Sequence, residues 1–278
     1  MKRSLQAFFL VAAVFFSAYA VNMKKPVATR AKPLHDPVAA SSVGENGAVS
    51  PYAGNGDDIE GEVPLPELKI NAALAKESLG STVFFRLRPE ERWPLASLTK
   101  LMTAVIALEN IPYGAERDDL IRRMMVISDN GAAEALADTL GLDQWLALMN
   151  AKAKSLNMYG TGFSDASGLS YLNQSTADDV DKLARYILQK HPEIFEWSRA
   201  PSVTVGGTAM PNINEFAGRP DFLGGKTGFT DEASGNLITI WRTAHGPVTI
   251  IVLGTPDKSE RFIQTEKLFA WLSQRFKL

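Results

Sequence analysis

Two apolar, β-branched runs do most to limit what this chain can become. Leu237-Ile238-Thr239-Ile240-Trp241 and Val248-Thr249-Ile250-Ile251-Val252-Leu253 flank a turn at Ala244-His245-Gly246-Pro247. Such runs read as strands, and a short turn between them returns the chain as an antiparallel pair. Apolar residues occupy both alternating positions, so both faces of the pair are expected to be partly buried. A stretch from about Ser259 to Phe276 carries Phe262, Ile263, Leu268, Phe269, Trp271 and Leu272, and its expected place is a helix packed across the sheet. Mixed charges and a broad apolar face leave a membrane-surface helix as the other reading. Nearer the N-terminus, Ile70–Leu79 and Ser81–Leu87 are strand-like and break at Gly80, a second hairpin.

Between these strand regions the pattern is helical. Pro94-Leu95-Ala96-Ser97-Leu98-Thr99-Lys100 opens a helix whose apolar residues continue to Glu109. Helices are also expected from Asp118-Asp119 to Ile127, from Ala132 to Leu140 with Gly141 as its C-cap, and from Asp143 to Leu156. Thr176-Ala177-Asp178-Asp179 resembles a capping box that opens a helix through Leu188. Residues 163–173 are loop-rich, and Val203-Thr204-Val205 is a short strand.

Ser97 and Lys100 are three apart, so their side chains rise from one helix face. A hydroxyl within reach of an amine can be activated as a nucleophile, and a helix N-terminus favours both an alkoxide and a neutral lysine. The rest of the composition makes this pair matter. There is no cysteine, which removes thiolate catalysis, disulfides and cysteine-ligated zinc. His35, His191 and His245 lie in a Pro/Ala-rich stretch, before a proline and in a turn, and no His-x-x-x-His pair exists to hold zinc. A serine hydrolase made from this chain must use a lysine as its base. With 29 basic and 31 acidic residues there is no electrostatic footprint for nucleic acid.

Three short motifs follow in order: Ser97-Leu98-Thr99-Lys100, Ser128-Asp129-Asn130 and Lys226-Thr227-Gly228. This ordered set marks class A β-lactamases and penicillin-binding proteins. From about Ile70 onward the chain resembles the D-alanyl-D-alanine carboxypeptidases, the low-molecular-mass penicillin-binding proteins. The likeness includes Asp165-Ala166-Ser167-Gly168-Leu169, Ser175-Thr176-Ala177-Asp178-Asp179 and Gly225-Lys226-Thr227-Gly228-Phe229-Thr230. It implies an α+β fold, an antiparallel five-stranded sheet flanked by helices with a helical lobe that holds the Ser-x-Asn loop.

It also implies roles. Ser97 attacks the carbonyl between two terminal D-alanines, and Lys100 takes its proton once burial and the neighbouring Lys226 have lowered its pKa. Ser128 shuttles the proton to the leaving amine, and Asn130 positions Lys100 and the substrate amide. Lys226 and Thr227 suit the substrate's C-terminal carboxylate, one by charge and one by hydrogen bond. Gly228 allows the strand a close approach, and the backbone N–H groups of Ser97 and Phe229 form the oxyanion hole. β-Lactams acylate the same serine as covalent inhibitors, the peptidoglycan stem peptide is the partner, and no cofactor is required. Asp165, Ser167 and Asn214 are read as loop-shaping, and Thr230 has no assigned part.

The chain departs from the family in two places. About thirty residues separate Ser97 from Ser128, so the helical lobe should be trimmed, and the sequence stops just after its sheet-packing helix. Three rivals stand beside the carboxypeptidase. An endopeptidase acting on D-alanyl cross-links shares every motif. A β-lactamase would need a Glu-x-x-x-Asn between Asn130 and Lys226, which is missing. A non-catalytic wall-binding module would not need intact Ser97, Lys100 and Lys226.

Residues 1–21 combine Met1-Lys2-Arg3, an apolar core and Ala18-Tyr19-Ala20, the pattern of a secretory signal peptide or an uncleaved N-terminal membrane anchor. Residues 22–66 shift to Pro, Ala, Gly, Ser and Asp and read as a flexible linker. Residues 67–278 are then the folded D,D-peptidase domain. An extracytoplasmic location follows, in periplasm or cell wall, secreted or tethered to the membrane at the N-terminus.

Overall fold

The computed structural model describes residues 63–278. The expected signal peptide or anchor, and the linker up to residue 62, lie outside the described residues.

The antiparallel pair anticipated near the C-terminus is β8 (Ser234–Thr243) and β9 (Gly246–Thr255). They belong to a five-stranded sheet completed by β1 (Ala72–Glu77), β2 (Val83–Leu87) and β7 (Phe222–Thr230), in the order β2-β1-β9-β8-β7, antiparallel throughout. Side chains alternate between faces with period two. Ala72, Leu74, Ile238, Ile240, Ile251 and Leu253 enter one core, while Ala73, Ala75, Leu237, Trp241, Ile250 and Val252 enter the other. Both faces are buried at the centre, which is why these strands read as unbroken apolar runs.

The first core is shared with α1 (Thr99–Asn110), α2 (Ala115–Val126), α3 (Asn130–Asp138), α4 (Leu142–Ser155) and α5 (Ala177–Lys190). Every residue of α1 from Thr99 to Ala107 is buried, so the helix is enclosed all round by sheet and lobe. The lobe built by α2–α4 is the short one the spacing called for. α2 begins three residues before Asp118 because Gly114 ends the preceding extended segment and Glu116 and Asp118 favour its N-terminus. α3 begins at Asn130 rather than Ala132, since Asp129 caps it by accepting from Ala132 N–H at 3.1 Å. Thr176 caps α5 through Asp179 N–H, as the motif suggested.

The second core lies under α7 (Glu260–Phe276), which packs across the sheet. Aromatic rings fill it. Trp241 stacks on Phe269 at 4.5 Å, Phe216 meets Trp241 at 4.9 Å, and Phe85 meets Trp271 edge-on at 6.0 Å. Val63 packs here too, and its carbonyl accepts from Trp271 Nε1 at 3.1 Å. Two small ribbons complete the fold: β3 (Trp93–Pro94) with β4 (Gln174–Ser175), and β5 (Ser202–Val205) with β6 (Thr208–Pro211). A short helix, α6 (Glu193–Ser198), precedes β5. Among the described residues no helix is long and apolar enough to cross a membrane.

Candidate active site

Ser97 sits in a 3-10 turn, Ala96–Leu98, that leads directly into α1. Ala96 holds a left-handed backbone at φ +47°, an unfavourable state for a residue with a Cβ. Its surroundings enforce that state. Leu95 N–H donates to Asn173 O at 2.8 Å, and Asn236 Nδ2 donates to Pro94 O at 2.8 Å. Gly168, at φ +87°, comes so close that a Cβ there would stand 1.9 Å from Ala96 O. From the other side, a Cβ on Gly228 would stand 2.8 Å from Leu95 O. The turn is therefore gripped between the 165–173 loop and the edge strand β7, and Ser97 remains half-buried and open to the groove.

One turn into α1, Lys100 is fully buried. Its ammonium donates to Ser97 Oγ at 2.9 Å, Asn130 Oδ1 at 2.7 Å and Ser167 O at 2.5 Å. Burial lowers its pKa to about 8 against the opposing pull of Asp165, Asp129 and Glu134. Burial also pushes Lys226 well below the usual lysine range, followed by the charges of Lys100 and Arg261. Both amines are enclosed, and two neighbouring cations disfavour each other's charge.

Lys226-Thr227-Gly228 lies inside β7. Lys226 reaches across the groove and donates to Ser128 Oγ at 2.9 Å and to its neighbour Thr227 O at 2.8 Å. Ser128 also holds a left-handed backbone, at φ +58°, in the corner between α2 and α3. Asp129 secures that corner by capping α3 and accepting from Arg123 Nη2 at 2.5 Å. All three motifs thus meet in one groove: Ser97 from the 3-10 turn and Lys100 from α1, Ser128 and Asn130 from the lobe, Lys226 and Thr227 from β7. Phe229 stands at its rim, 40% exposed.

One contributor carries no side-chain signature in sequence. Ser167, read as loop-shaping, presents its backbone carbonyl to Lys100. The loop that aims this carbonyl is organised by Asp165, which accepts from Ser167 N–H at 2.9 Å and Gly168 N–H at 2.5 Å. Asn173 ties the same loop to Thr99 Oγ1 at 3.1 Å. The Asp165-Ala166-Ser167-Gly168 run was the available signal. A second contributor, Arg261 on α7, donates to Gly228 O at 3.0 Å behind the motif strand. Asn214 and Thr230 serve local turns, accepting from Phe216 N–H and Ala233 N–H. His191 lies beside Glu109 and Glu193, and His245 beside Lys277 O, neither in the groove.

Comparison with known proteins agrees with this architecture. The sequence profile of the family described as D-alanyl-D-alanine carboxypeptidase, peptidase S11, matches residues 112–257. That span holds the second and third motifs and begins after the first. A D-alanyl-D-alanine endopeptidase of Haemophilus influenzae is 33% identical over 205 residues, covering 61% of this chain and 69% of its own length. The D-alanyl-D-alanine carboxypeptidase DacD of Salmonella typhimurium is 34% identical over 163 residues, 57% of this chain and 42% of its own. Among solved structures, penicillin-binding protein D2 of Listeria monocytogenes in its ampicillin-bound form superposes with a TM-score of 0.68 at 31% identity, covering 75% of this chain and 99% of that one. The chain belongs to the D-alanyl-D-alanine carboxypeptidase family, peptidase S11.

Proposed function

We propose that this protein is a serine D-alanyl-D-alanine carboxypeptidase that removes the terminal D-alanine of peptidoglycan stem peptides through an acyl-enzyme on Ser97. The observation that carries the reading is the bridge made by Lys100. Its amine lies 2.9 Å from Ser97 Oγ, and burial brings its pKa to about 8. A lysine in that state can take the hydroxyl proton as Oγ bonds to the carbonyl carbon. Asn130 Oδ1 and Ser167 O hold the amine in place for the transfer.

The tetrahedral oxyanion is received by the backbone N–H groups of Ser97 and Phe229. Collapse breaks the C–N bond, and the departing D-alanine amine takes a proton from Ser128 Oγ. The proton that Lys100 accepted from Ser97 makes up that loss and returns Lys100 to the free amine, while Lys226, 2.9 Å from Ser128 Oγ, orients the hydroxyl. Thr227 binds the substrate's terminal carboxylate, and an anion arriving there restores the ammonium of Lys226 that burial otherwise disfavours. Water then cleaves the acyl-enzyme. The same nucleophile opens a β-lactam ring, and the lack of a Glu-x-x-x-Asn favours a long-lived adduct. The N-terminal signature of residues 1–21 supports an extracytoplasmic site of action, secreted or tethered at the membrane.

A second reading has its own support. The Haemophilus influenzae endopeptidase is covered over 69% of its length, against 42% for the DacD carboxypeptidase. Action on D-alanyl cross-links would use the same groove. The test is direct. Labelled penicillin should attach to Ser97, and Ser97→Ala should abolish labelling and D-alanine release together. D-alanine release that survives Ser97→Ala overturns the assignment. A pentapeptide and a cross-linked dimer offered to the same enzyme separate the two activities.

A further inference from the structure

The carbonyl of Gly228 and the N–H of Phe229 belong to one peptide unit, and a trans peptide points the two in opposite directions. No described peptide bond is cis. Arg261, in the first turn of α7, donates from Nη1 to that carbonyl at 3.0 Å. The arginine is 7% exposed, and its Nε has no hydrogen-bond partner among the described residues. Glu215 and Asp257 act on it only as nearby charges, and burial lowers its pKa to about 10 despite them. Its guanidinium also lies over the Phe262 ring at 4.8 Å, but no carboxylate pairs with it directly, and a cation so enclosed is costly unless it serves a purpose beyond packing.

Its position suggests one. β7 is an end strand of the sheet, and Gly228 presses against the nucleophile turn, with space for a Cβ only 3.3 Å from Ala96 Cβ. With the Gly228 carbonyl drawn back to Arg261, the other end of the same peptide must turn away from Arg261.

We infer that Arg261 is a positioning residue for the oxyanion hole, holding the plane of the 228–229 peptide and polarising it so that Phe229 N–H is a stronger donor. A charged donor on a carbonyl strengthens the hydrogen bond made by the N–H at the far end of that peptide, as in any polarised chain of hydrogen bonds. The inference rests on the acyl-enzyme reading above. It differs from a role in binding the substrate's carboxylate, because it predicts indifference to whether a carboxylate is present.

The experiment is single-turnover acylation of Arg261→Met, using one peptide ending in D-Ala-D-Ala and the same peptide ending in the amide. The acylation rate constant should fall by roughly 10- to 100-fold with both, less than the loss of an oxyanion donor outright. Substrate affinity and the thermal midpoint should hold, and Arg261→Lys should recover part of the rate. A loss confined to the carboxylate peptide would mean that Arg261 binds substrate directly. An unchanged rate would mean that the peptide needs no holding. Either result overturns the inference. Should Arg261→Met not fold, Arg261→Lys and Arg261→Gln carry the same two-peptide comparison. Absence of penicillin labelling at Ser97 in the unaltered protein would instead count against the acyl-enzyme itself.

Discussion

Beneath α7, Trp241, Phe269, Phe216, Phe85 and Trp271 interlock edge to face and face to face, and Trp241 Nε1 is satisfied by Thr239 Oγ1 at 2.8 Å. In the groove on the other side, two lysines are enclosed, Ala96 and Ser128 hold left-handed backbones, and Gly168 touches a carbonyl oxygen. The first region is built from groups in the states they prefer. The second holds groups away from those states, and it keeps its shape through the contacts that grip the nucleophile turn. Chemistry and stability are thus expected to separate cleanly on mutation.

The sharpest way to break this contrast is Lys100→Met. Acylation by penicillin should fall about 10²–10⁴-fold, while the thermal midpoint stays level or rises, because a buried amine has been replaced by an apolar chain. A large drop in midpoint would show that the groove is also a source of stability. The converse change is Trp241→Ala, which should cost about 3–5 kcal/mol in denaturant unfolding. The acylation rate per folded molecule should be unchanged. Gly168→Ala tests the grip on the nucleophile turn. Its methyl would meet Ala96 O at 1.9 Å in a left-handed backbone, so the shift of Ser97 should slow acylation about 10²-fold and the strain should lower the thermal midpoint as well.

Smaller effects sharpen the same contrast. With its pKa near 8, Lys100 is an ammonium at lower pH and cannot accept a proton. Acylation should therefore rise about tenfold from pH 7 to a plateau above pH 8, and the rise should vanish in Lys100→Met. Asp129→Ala sits at the boundary of the two regimes. It removes the cap of α3, which should cost about 1 kcal/mol of stability. It should also loosen the corner that holds Ser128, visible as slower D-alanine release.

The sequence was most legible where one short stretch fixes one local shape. Ser97 and Lys100 fall on one helix face by spacing alone, and the paired strands β8 and β9 announce themselves by composition. The spacing between Ser97 and Ser128 gave the small lobe. Less was legible where the working atom is a backbone atom or a distant partner. Ser167 contributes a carbonyl, which any residue possesses, so only the loop drawn together by Asp165 reveals it. Arg261 lies at the start of a helix whose pattern describes packing, and its contact with Gly228 spans the sheet. The degree to which Lys100 and Lys226 are enclosed, which lowers the pKa of both, is a matter of tertiary packing and not of local sequence. Starts of α2 and α3 shifted by two or three residues because caps, not apolar spacing, set them.

The hydrogen bond from Trp271 to Val63 bears on how this protein is best shortened. A version that starts at Leu68 exposes one edge of the aromatic cluster and leaves an indole N–H without its acceptor, whereas one that starts at or before residue 62 keeps that seam closed. The practical boundary for a well-behaved catalytic fragment is therefore drawn by α7, at the far end of the sequence.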